Sequence, residues 1–254
     1  MSQMRAIDLS NRKYLVTGAS SGLGRDIAVF LSECGAQLVI TGRNEKKLDE
    51  TFKEMGSDGH LQIICDIARE EDLSGVFSEA VKDGKRLDGL VHCAGVIPLS
   101  PLNTISRKSI DDCMAINFYS LLELVRCFAK KKYREEKTSI VEISSVCSQY
   151  PGKCQTLYAA SKAAANAAVQ ALALEVNKMG IRINSVLPGT INTPGIPGVI
   201  EKIGGESFSN IMRPQIHGLV EMREVSNIVG FMLSDLSSAV TGRIVYADGG
   251  YINY

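Results

Sequence analysis

The chain has 254 residues, 45% of them hydrophobic, which suits a globular protein with one large core or two small ones. Its 28 basic residues equal its 28 acidic residues, so no overall field attracts nucleic acid or an anionic membrane. Seven scattered cysteines, without a C-x-x-C pair or a histidine at ligand spacing, argue for a reducing compartment and against a disulfide framework or a zinc site.

The sequence shows no targeting or membrane-spanning segment. Residues 1–11 are polar and lack the apolar core of a signal peptide, and no apolar run approaches the length of a membrane span. We therefore expect a soluble, cytoplasmic protein with neither a nucleic-acid nor a membrane partner.

The first predicted elements are a strand over 13–16, a glycine-rich turn over 17–24 and a helix over 25–34. This arrangement lays backbone N–H groups and a helix N-terminus against a pyrophosphate. Gly18, Gly22 and Gly24 are spaced G-x-x-x-G-x-G, not G-x-G-x-x-G, and such turns also form for steric reasons alone. The flanking strand and helix favour phosphate binding.

The second predicted strand, over 37–41, ends at Gly42 and Arg43. An NAD-binding protein places an acid for the ribose hydroxyls at about this position, roughly 20 residues past the glycines. The missing acid removes repulsion of a 2′-phosphate, and the guanidinium of Arg43 can accept that group. We therefore expect NADP(H) rather than NAD(H). A solvated arginine with Glu45 nearby is the alternative interpretation.

The remaining periodicity predicts alternating helices and strands with no linker or repeat. Helices are expected over 44–55, from about 69, over 109–133 and from 158 to about 178, and strands over 61–65, 87–91, 139–143, 182–187 and 242–246. The fold class is α/β: a single doubly wound, Rossmann-type domain over 1–254, with a seven-stranded parallel sheet and helices on both faces. Residues 189–218 lack firm periodicity, which is typical of a substrate loop.

Tyr158 and Lys162 lie four residues apart in an Ala-rich helix and so share one face. A phenol titrates near pH ~10, and an adjacent cation can lower that pKa by roughly 1–3 units. Tyr158 is thus a candidate general acid and base, although a solvated helix face is the ordinary explanation for such a pair. His92 follows a predicted strand with no acid or nucleophile beside it in sequence, which favours a structural role.

Two further positions stand at predicted strand ends. Asp66 either accepts a hydrogen bond from an adenine amino group or caps the helix that follows. Ser144 and Ser145 end the strand over 139–143, and the carboxyl ends of parallel strands face the crevice where α/β sheets bind ligands.

In order and spacing, these residues resemble the short-chain dehydrogenase/reductase family, in its branch of roughly 250 residues, over residues 9–250. The motifs that carry the resemblance are Thr17-Gly18-x-x-x-Gly22-x-Gly24, Asp66, Ala94-Gly95, Asn117, Ser145, Tyr158, Lys162, and Pro188-Gly189 with Thr193. The chain departs from the family at His92-Cys93, where Asn-Asn is usual.

The resemblance implies a catalytic set. Tyr158 would donate a proton to a carbonyl oxygen that Ser145 also holds, while hydride arrives from nicotinamide. Lys162 would depress the pKa of Tyr158 and hold the nicotinamide ribose. Asn117, in a locally distorted helix, would hold a water that links Lys162 to solvent. Spacing from Tyr158 favours Ser145 over Ser144 for the catalytic role.

The resemblance also implies the cofactor contacts. They are Gly18, Ser20, Ser21, Gly22, Leu23, Gly24, Arg43, Asp66, Ile67, Cys93, Ala94, Gly95, Tyr158, Lys162, Pro188, Gly189, Ile191 and Thr193.

The expected function is NADP(H)-dependent hydride transfer between nicotinamide and a small carbonyl or secondary-alcohol substrate, similar to that of a 3-oxoacyl-acyl-carrier-protein reductase. The alternative is a non-catalytic regulatory or scaffold protein that binds a dinucleotide, but such a protein would be expected to lack Tyr158 or Lys162, and both are present. The Tyr158 helix is apolar nearly all round and should be buried on every face. The family packs this helix against its copy, which implies a homo-oligomer, either a dimer or a tetramer.

Overall fold

A seven-stranded parallel sheet forms the centre of the protein, and the computed structural model describes residues 7–56, 59–205 and 215–251. Its strands are β1 (Lys13–Thr17), β2 (Gln37–Gly42), β3 (Leu61–Ile64), β4 (Leu87–His92), β5 (Arg134–Ile143), β6 (Ile181–Pro188) and β9 (Ile244–Ala247). They pair in the order β3-β2-β1-β4-β5-β6-β9, and every pair is parallel. The strand order reverses between β1 and β4, where α/β sheets bind ligands.

Helices cover both faces of the sheet. They are α1 (Gly22–Glu33), α2 (Glu45–Met55), α3 (Glu70–Ala80), α4 (Arg107–Met114), α5 (Ser120–Phe128), α6 (Thr156–Val176), α7 (Ile196–Ile203) and α8 (Met222–Leu233). Adjacent residues of a strand pack against the helices on opposite faces of the sheet. Val16 packs in a core with α1 and α8, whereas Leu15 packs in a second core with α3, α5 and α6. The predicted doubly wound, seven-stranded α/β fold is confirmed.

The helix predicted over 109–133 ends too late, whereas the local distortion expected around Asn117 is present. A π-helical segment, Ala115–Tyr119, separates α4 from α5, and α5 ends at Phe128. Strand β5 then begins five residues before the prediction, because Arg134 pairs with Leu87 and Thr138 pairs with Ile181. Residues 134–138 are mostly charged, so they carry no apolar alternation by which sequence could reveal a strand.

The predicted loop over 189–218 contains short elements. Strand β7 (Ile191–Asn192) pairs with β8 (Val220–Glu221), and α7 follows. Residues 206–214 of the predicted loop lie outside the described residues. All seven cysteines carry free thiols. Across the described ranges, no helix has both the length and the apolar character that crossing a bilayer requires.

Helix α6 is not buried on every face within one chain. Its inner side packs against the sheet through residues such as Ala165 and Val169. Its outer side exposes a stripe of Ala160, Ala163, Ala167, Ala171 and Leu174, and the last of these is 82% exposed. The expectation of complete burial therefore does not hold for the isolated chain.

Candidate active site

A cleft of about 690 Å³ opens where the strand order reverses. Most of the residues expected to contact a dinucleotide line this cleft: Gly18, Ser20, Ser21, Leu23, Gly24, Arg43, Asp66, Ile67, Cys93, Ala94 and Gly95. Thr41, Gly42, Asn44, Lys47, Cys65, Val96 and Ile116 complete its wall. The fold thus gathers residues from the ends of β1, β2, β3 and β4 around one elongated space.

The glycines at the base of this cleft make room for close backbone contacts. A Cβ on Gly24 would lie 2.3 Å from the Gly18 carbonyl oxygen, and one on Gly18 would lie 2.6 Å from Ala94 Cα. Thr17 Oγ1 joins the two loops by accepting hydrogen bonds from the backbone N–H groups of Cys93 and Ala94, both at 3.2 Å.

Gly22 has a different environment. It adopts φ +55°, and a Cβ there would meet nothing within 4 Å. Backbone atoms therefore pack closely against Gly18 and Gly24, whereas the space next to Gly22 is open. This open space fits a pyrophosphate held against the start of α1.

Two exposed cations stand at the β2 end of the cleft, Arg43 and Lys47. Asn44 caps α2 by accepting a hydrogen bond from the backbone N–H of Lys47 at 3.0 Å, which fixes the start of the helix. Sequence reasoning missed Lys47, although it lies four residues after Arg43. The cleft thus presents two positive charges where the sequence suggested one.

Asp66 lines the same cleft, and its Oδ1 accepts a hydrogen bond from the backbone N–H of Ala68 at 3.1 Å. The N-cap position of α3 is Arg69, so Asp66 stabilises the preceding turn rather than capping the helix.

Tyr158, Ser145 and Lys162 are buried and lie close together. Lys162 lies beside the cleft, since a Cβ on Gly95 would be 3.8 Å from its Nζ. Ser145 follows β5, whereas Tyr158 and Lys162 lie in the first turns of α6. Burial raises the pKa of Tyr158 above its ordinary value, and the opposing effects of Lys162 and Ser145 do not overcome it. Lys162 lowers the pKa of Tyr158 as expected, but desolvation outweighs this effect in the described structure and the net shift is upward.

Lys162 is held by acceptors that sequence reasoning did not identify. Its Nζ donates to Glu142 Oε1 at 2.9 Å and to the Ile143 carbonyl at 2.6 Å. Burial lowers the pKa of Lys162, but Glu142 and Tyr158 more than offset that effect and leave the pKa raised. The only feature of the sequence that pointed to this contact was Glu142, an acid within the apolar run of β5.

Asn117 lies fully buried in the π-helical segment between α4 and α5. Its Oδ1 accepts from the Val96 backbone N–H at 2.8 Å, and its Nδ2 donates to the Val96 carbonyl and to Ser161 Oγ, both at 2.9 Å. The amide therefore joins the loop after Gly95 to α6, which explains its use inside a helix. Ser144 Oγ instead lies 3.5 Å from the Lys162 carbonyl oxygen.

His92 has a partner acid that is absent from its sequence neighbourhood. Its Nδ1 hydrogen-bonds to Glu142 Oε2, and its Nε2 lies 2.9 Å from Ser120 Oγ. The tertiary structure thus connects His92 to Lys162 through one carboxylate.

The remaining predicted cofactor residues lie at the end of β6, away from the wall of the main cleft. Pro188 ends β6 and Ile191 begins β7. Gly189 packs so closely that a Cβ would lie 2.5 Å from Gln215 Oε1. Thr193 lines an adjoining depression together with Ser21 and Gly22, so it stands near the glycine-rich turn.

Comparisons with known proteins agree with this geometry. Residues 18–252 match the family model described as enoyl-(acyl carrier protein) reductase. L-xylulose reductase of Caenorhabditis elegans is 32% identical over 97% of this chain and 98% of its own length. The enoyl-[acyl-carrier-protein] reductase [NADH] of Neisseria meningitidis serogroup B is also 32% identical, over 96% of this chain and 95% of its own length.

A third relative, the 3-oxoacyl-[acyl-carrier-protein] reductase of Rickettsia felis, is 32% identical over 97% of this chain and 99% of its own. A solved short-chain type dehydrogenase/reductase from Mycobacterium ulcerans superposes with a TM-score of 0.89 at 28% identity, covering 96% of this chain and 91% of that one. The protein described here belongs to the short-chain dehydrogenase/reductase family of oxidoreductases, and several of its relatives are named as reductases or dehydrogenases of carbonyl or CH–OH groups.

Proposed function

We propose that the protein is an NADP(H)-dependent oxidoreductase that interconverts a carbonyl compound and its secondary alcohol. The observation that carries this proposal is the convergence of Tyr158, Ser145 and Lys162 beside a glycine-based cleft at the switch point of the sheet. Its seven free thiols support a reducing compartment, and we propose the cytoplasm.

Each proposed role follows from the position of the side chain. Bound nicotinamide would supply or accept the hydride. Tyr158 would give a proton to the substrate oxygen during reduction and take it back during oxidation. Ser145, whose hydroxyl is close enough to Tyr158 to lower the pKa of the phenol, would hold the same oxygen and stabilise its developing negative charge. Lys162 would stabilise the phenolate and hold the ribose, and Asn117 would maintain the path by which Lys162 exchanges protons with solvent.

The other proposed cofactor contacts divide by location. The glycine-rich turn would hold the pyrophosphate, while Asp66 and Ile67 would contact the adenosine half, and Cys93, Ala94 and Gly95 would approach through their backbones. We propose that Pro188, Gly189, Ile191 and Thr193 contact the nicotinamide half from the end of β6.

We propose a 3-oxoacyl thioester as the substrate class to test first, because one relative carries the name 3-oxoacyl-[acyl-carrier-protein] reductase. Another relative is named L-xylulose reductase, so sugars belong in the same screen. The experiment measures NADPH oxidation with a panel of 3-oxoacyl thioesters, ketoses and cyclic ketones. Turnover of at least one compound is expected. Tight NADPH binding without turnover across the panel would instead favour a regulatory or scaffold protein.

Replacing Arg43 by Asp tests the cofactor preference. The substitution removes a guanidinium from the cleft and adds a charge that repels a 2′-phosphate. We expect the affinity for NADPH relative to NADH to fall by ~10–100-fold, the effect of a lost charge-assisted hydrogen bond. Fluorescence titration with each nucleotide measures the ratio.

Arg243→Asp is the matched control, since it makes the same charge change before the amino end of β9. An unchanged NADPH to NADH ratio in Arg43→Asp would show that this arginine does not select the phosphate.

We also propose that the chain forms a homo-oligomer through the exposed Ala and Leu stripe of α6. Small side chains let a second helix approach closely, and two-fold assembly would cover the same stripe on both copies. Ala167→Glu is expected to give a monomer by light scattering, while Ser74→Glu on the exposed side of α3 should leave the mass unchanged. A monomeric wild-type protein at micromolar concentration would contradict the proposal.

A further inference from the structure

A buried network joins Lys162 to a histidine that the proposed chemistry does not use. His92 and Glu142 are register partners on β4 and β5, and both side chains are 0% exposed. One oxygen of Glu142 hydrogen-bonds to His92 Nδ1, and the other accepts from Lys162 Nζ at 2.9 Å. A single carboxylate therefore lies between two basic groups in the protein interior.

The far side of the network indicates the protonation state of His92. Ser120 Oγ donates its one hydrogen to the Ile116 carbonyl at 2.6 Å, so it faces His92 Nε2, at 2.9 Å, with lone pairs. Nε2 must then be the donor of that bond. Nδ1 faces a carboxylate, which accepts only. Both ring nitrogens of His92 therefore have acceptors as partners, which is the pattern of an imidazolium.

Glu142 remains ionised in the interior because of its two neighbours. Burial raises its pKa, but the charges and hydrogen bonds of Lys162 and His92 outweigh burial and hold the pKa below its usual value. An isolated pair of Glu142 and Lys162 would have no net charge. A protonated His92 gives the three groups together one positive charge.

We propose that His92 is a buried imidazolium whose charge offsets that of Glu142, so that Glu142 holds the Lys162 ammonium without cancelling its field at Tyr158. The inference rests on the proposed function, since it makes His92 and Glu142 positioning residues that act through Lys162. The same network also ends at the carbonyl of Ile116, inside the π-helical segment that carries Asn117.

The other titratable groups around the network leave its charge unchanged. Burial raises the pKa of the Cys93 thiol to about 12, and it also raises the pKa of Cys113, so both are neutral thiols at neutral pH. Tyr158, which faces Lys162 from the same helix, has a raised pKa and is a neutral phenol there. Cys147 is a further thiol near Tyr158.

Nitrogen NMR of histidine-labelled protein tests the protonation state directly. The chain has three histidines, and His92→Asn identifies the His92 signals by their loss. We expect both ring nitrogens of His92 to carry hydrogen at neutral pH in the wild-type protein. An unprotonated ring nitrogen would overturn the proposal. The measurement needs neither cofactor nor substrate, so it stands even if the oxidoreductase activity is not found.

The pH profile of alcohol oxidation tests the positioning role. Oxidation requires the Tyr158 phenolate, and His92→Asn removes a positive charge while keeping an amide N–H for Glu142. The midpoint of the profile is expected to move to higher pH, because loss of a nearby positive charge disfavours the phenolate. The double variant His92→Asn/Glu142→Gln removes both charges and is expected to return the midpoint towards the wild-type value.

A structural role for the pair would give a different result. The rate of His92→Asn would fall without a shift of the midpoint of its pH profile. Alternatively, the midpoint of the double variant would lie no closer to the wild-type value than the midpoint of His92→Asn does. Either outcome would overturn the charge-setting role. A wild-type enzyme without turnover would refute the proposed function, while the NMR spectrum would still decide whether His92 is charged.

Discussion

Replacing Tyr158 by Phe is expected to lower kcat/KM for the best substrate by ~10²–10⁴-fold, the range that general acid–base catalysis contributes. The substitution removes one hydroxyl from a buried side chain and leaves the ring in place, so the fold and the cleft should persist. The loss should appear mainly in kcat, since NADPH binding depends on groups along the cleft. Steady-state rates and NADPH titration measure the two effects separately.

Tyr133→Phe provides the matched control. Its hydroxyl lies 3.3 Å from Ser78 Oγ. Tyr133 precedes the amino end of β5, whereas the proposed site lies at the carboxyl ends of the strands. We expect its activity to match that of the wild-type protein. Undiminished turnover in Tyr158→Phe would remove the proposed acid and require another proton donor.

Replacing Gly24 by Ala is expected to lower cofactor affinity by displacing the backbone of the glycine-rich turn. The new Cβ would lie 2.3 Å from the Gly18 carbonyl oxygen and 2.8 Å from its carbon, so the backbone of the glycine-rich turn must move. Such overpacking typically costs about 1–3 kcal/mol of unfolding free energy. The displaced backbone is the part of the turn that would hold the pyrophosphate, so a misfit of roughly 1.4 kcal/mol in the bound complex would lower NADPH affinity about tenfold.

Gly75→Ala distinguishes this steric effect from helix propensity. Gly75 lies on the exposed side of α3, and a Cβ there would meet nothing within 4 Å. Alanine should stabilise that helix by roughly 0.5–1 kcal/mol and leave NADPH binding unchanged. Denaturant unfolding and nucleotide titration of both variants provide the comparison. A Gly24→Ala protein as stable as the wild type would show that the turn relaxes without cost.

The fold class could be predicted from the sequence because strands, helices and turns leave patterns over a few neighbouring residues. Apolar runs between glycines predicted the strands, and the glycine-rich turn between a strand and a helix predicted the ligand-binding edge. The limits of this approach appear at 134–138, where charged residues form part of β5. Pairing with β4 and β6 decided that these residues form a strand, and no apolar periodicity in the sequence indicated it.

The sequence by itself determined that Tyr158 and Lys162 share a helical face, because a spacing of four residues fixes this geometry. Only the tertiary structure decided their electrostatics. Fifty residues separate His92 from Glu142, and strand register alone brings them together. Burial, which no local pattern specifies, then outweighs the lysine charge and raises the pKa of Tyr158. Helical spacing is a local property, whereas desolvation and the charges around a buried group depend on the whole fold.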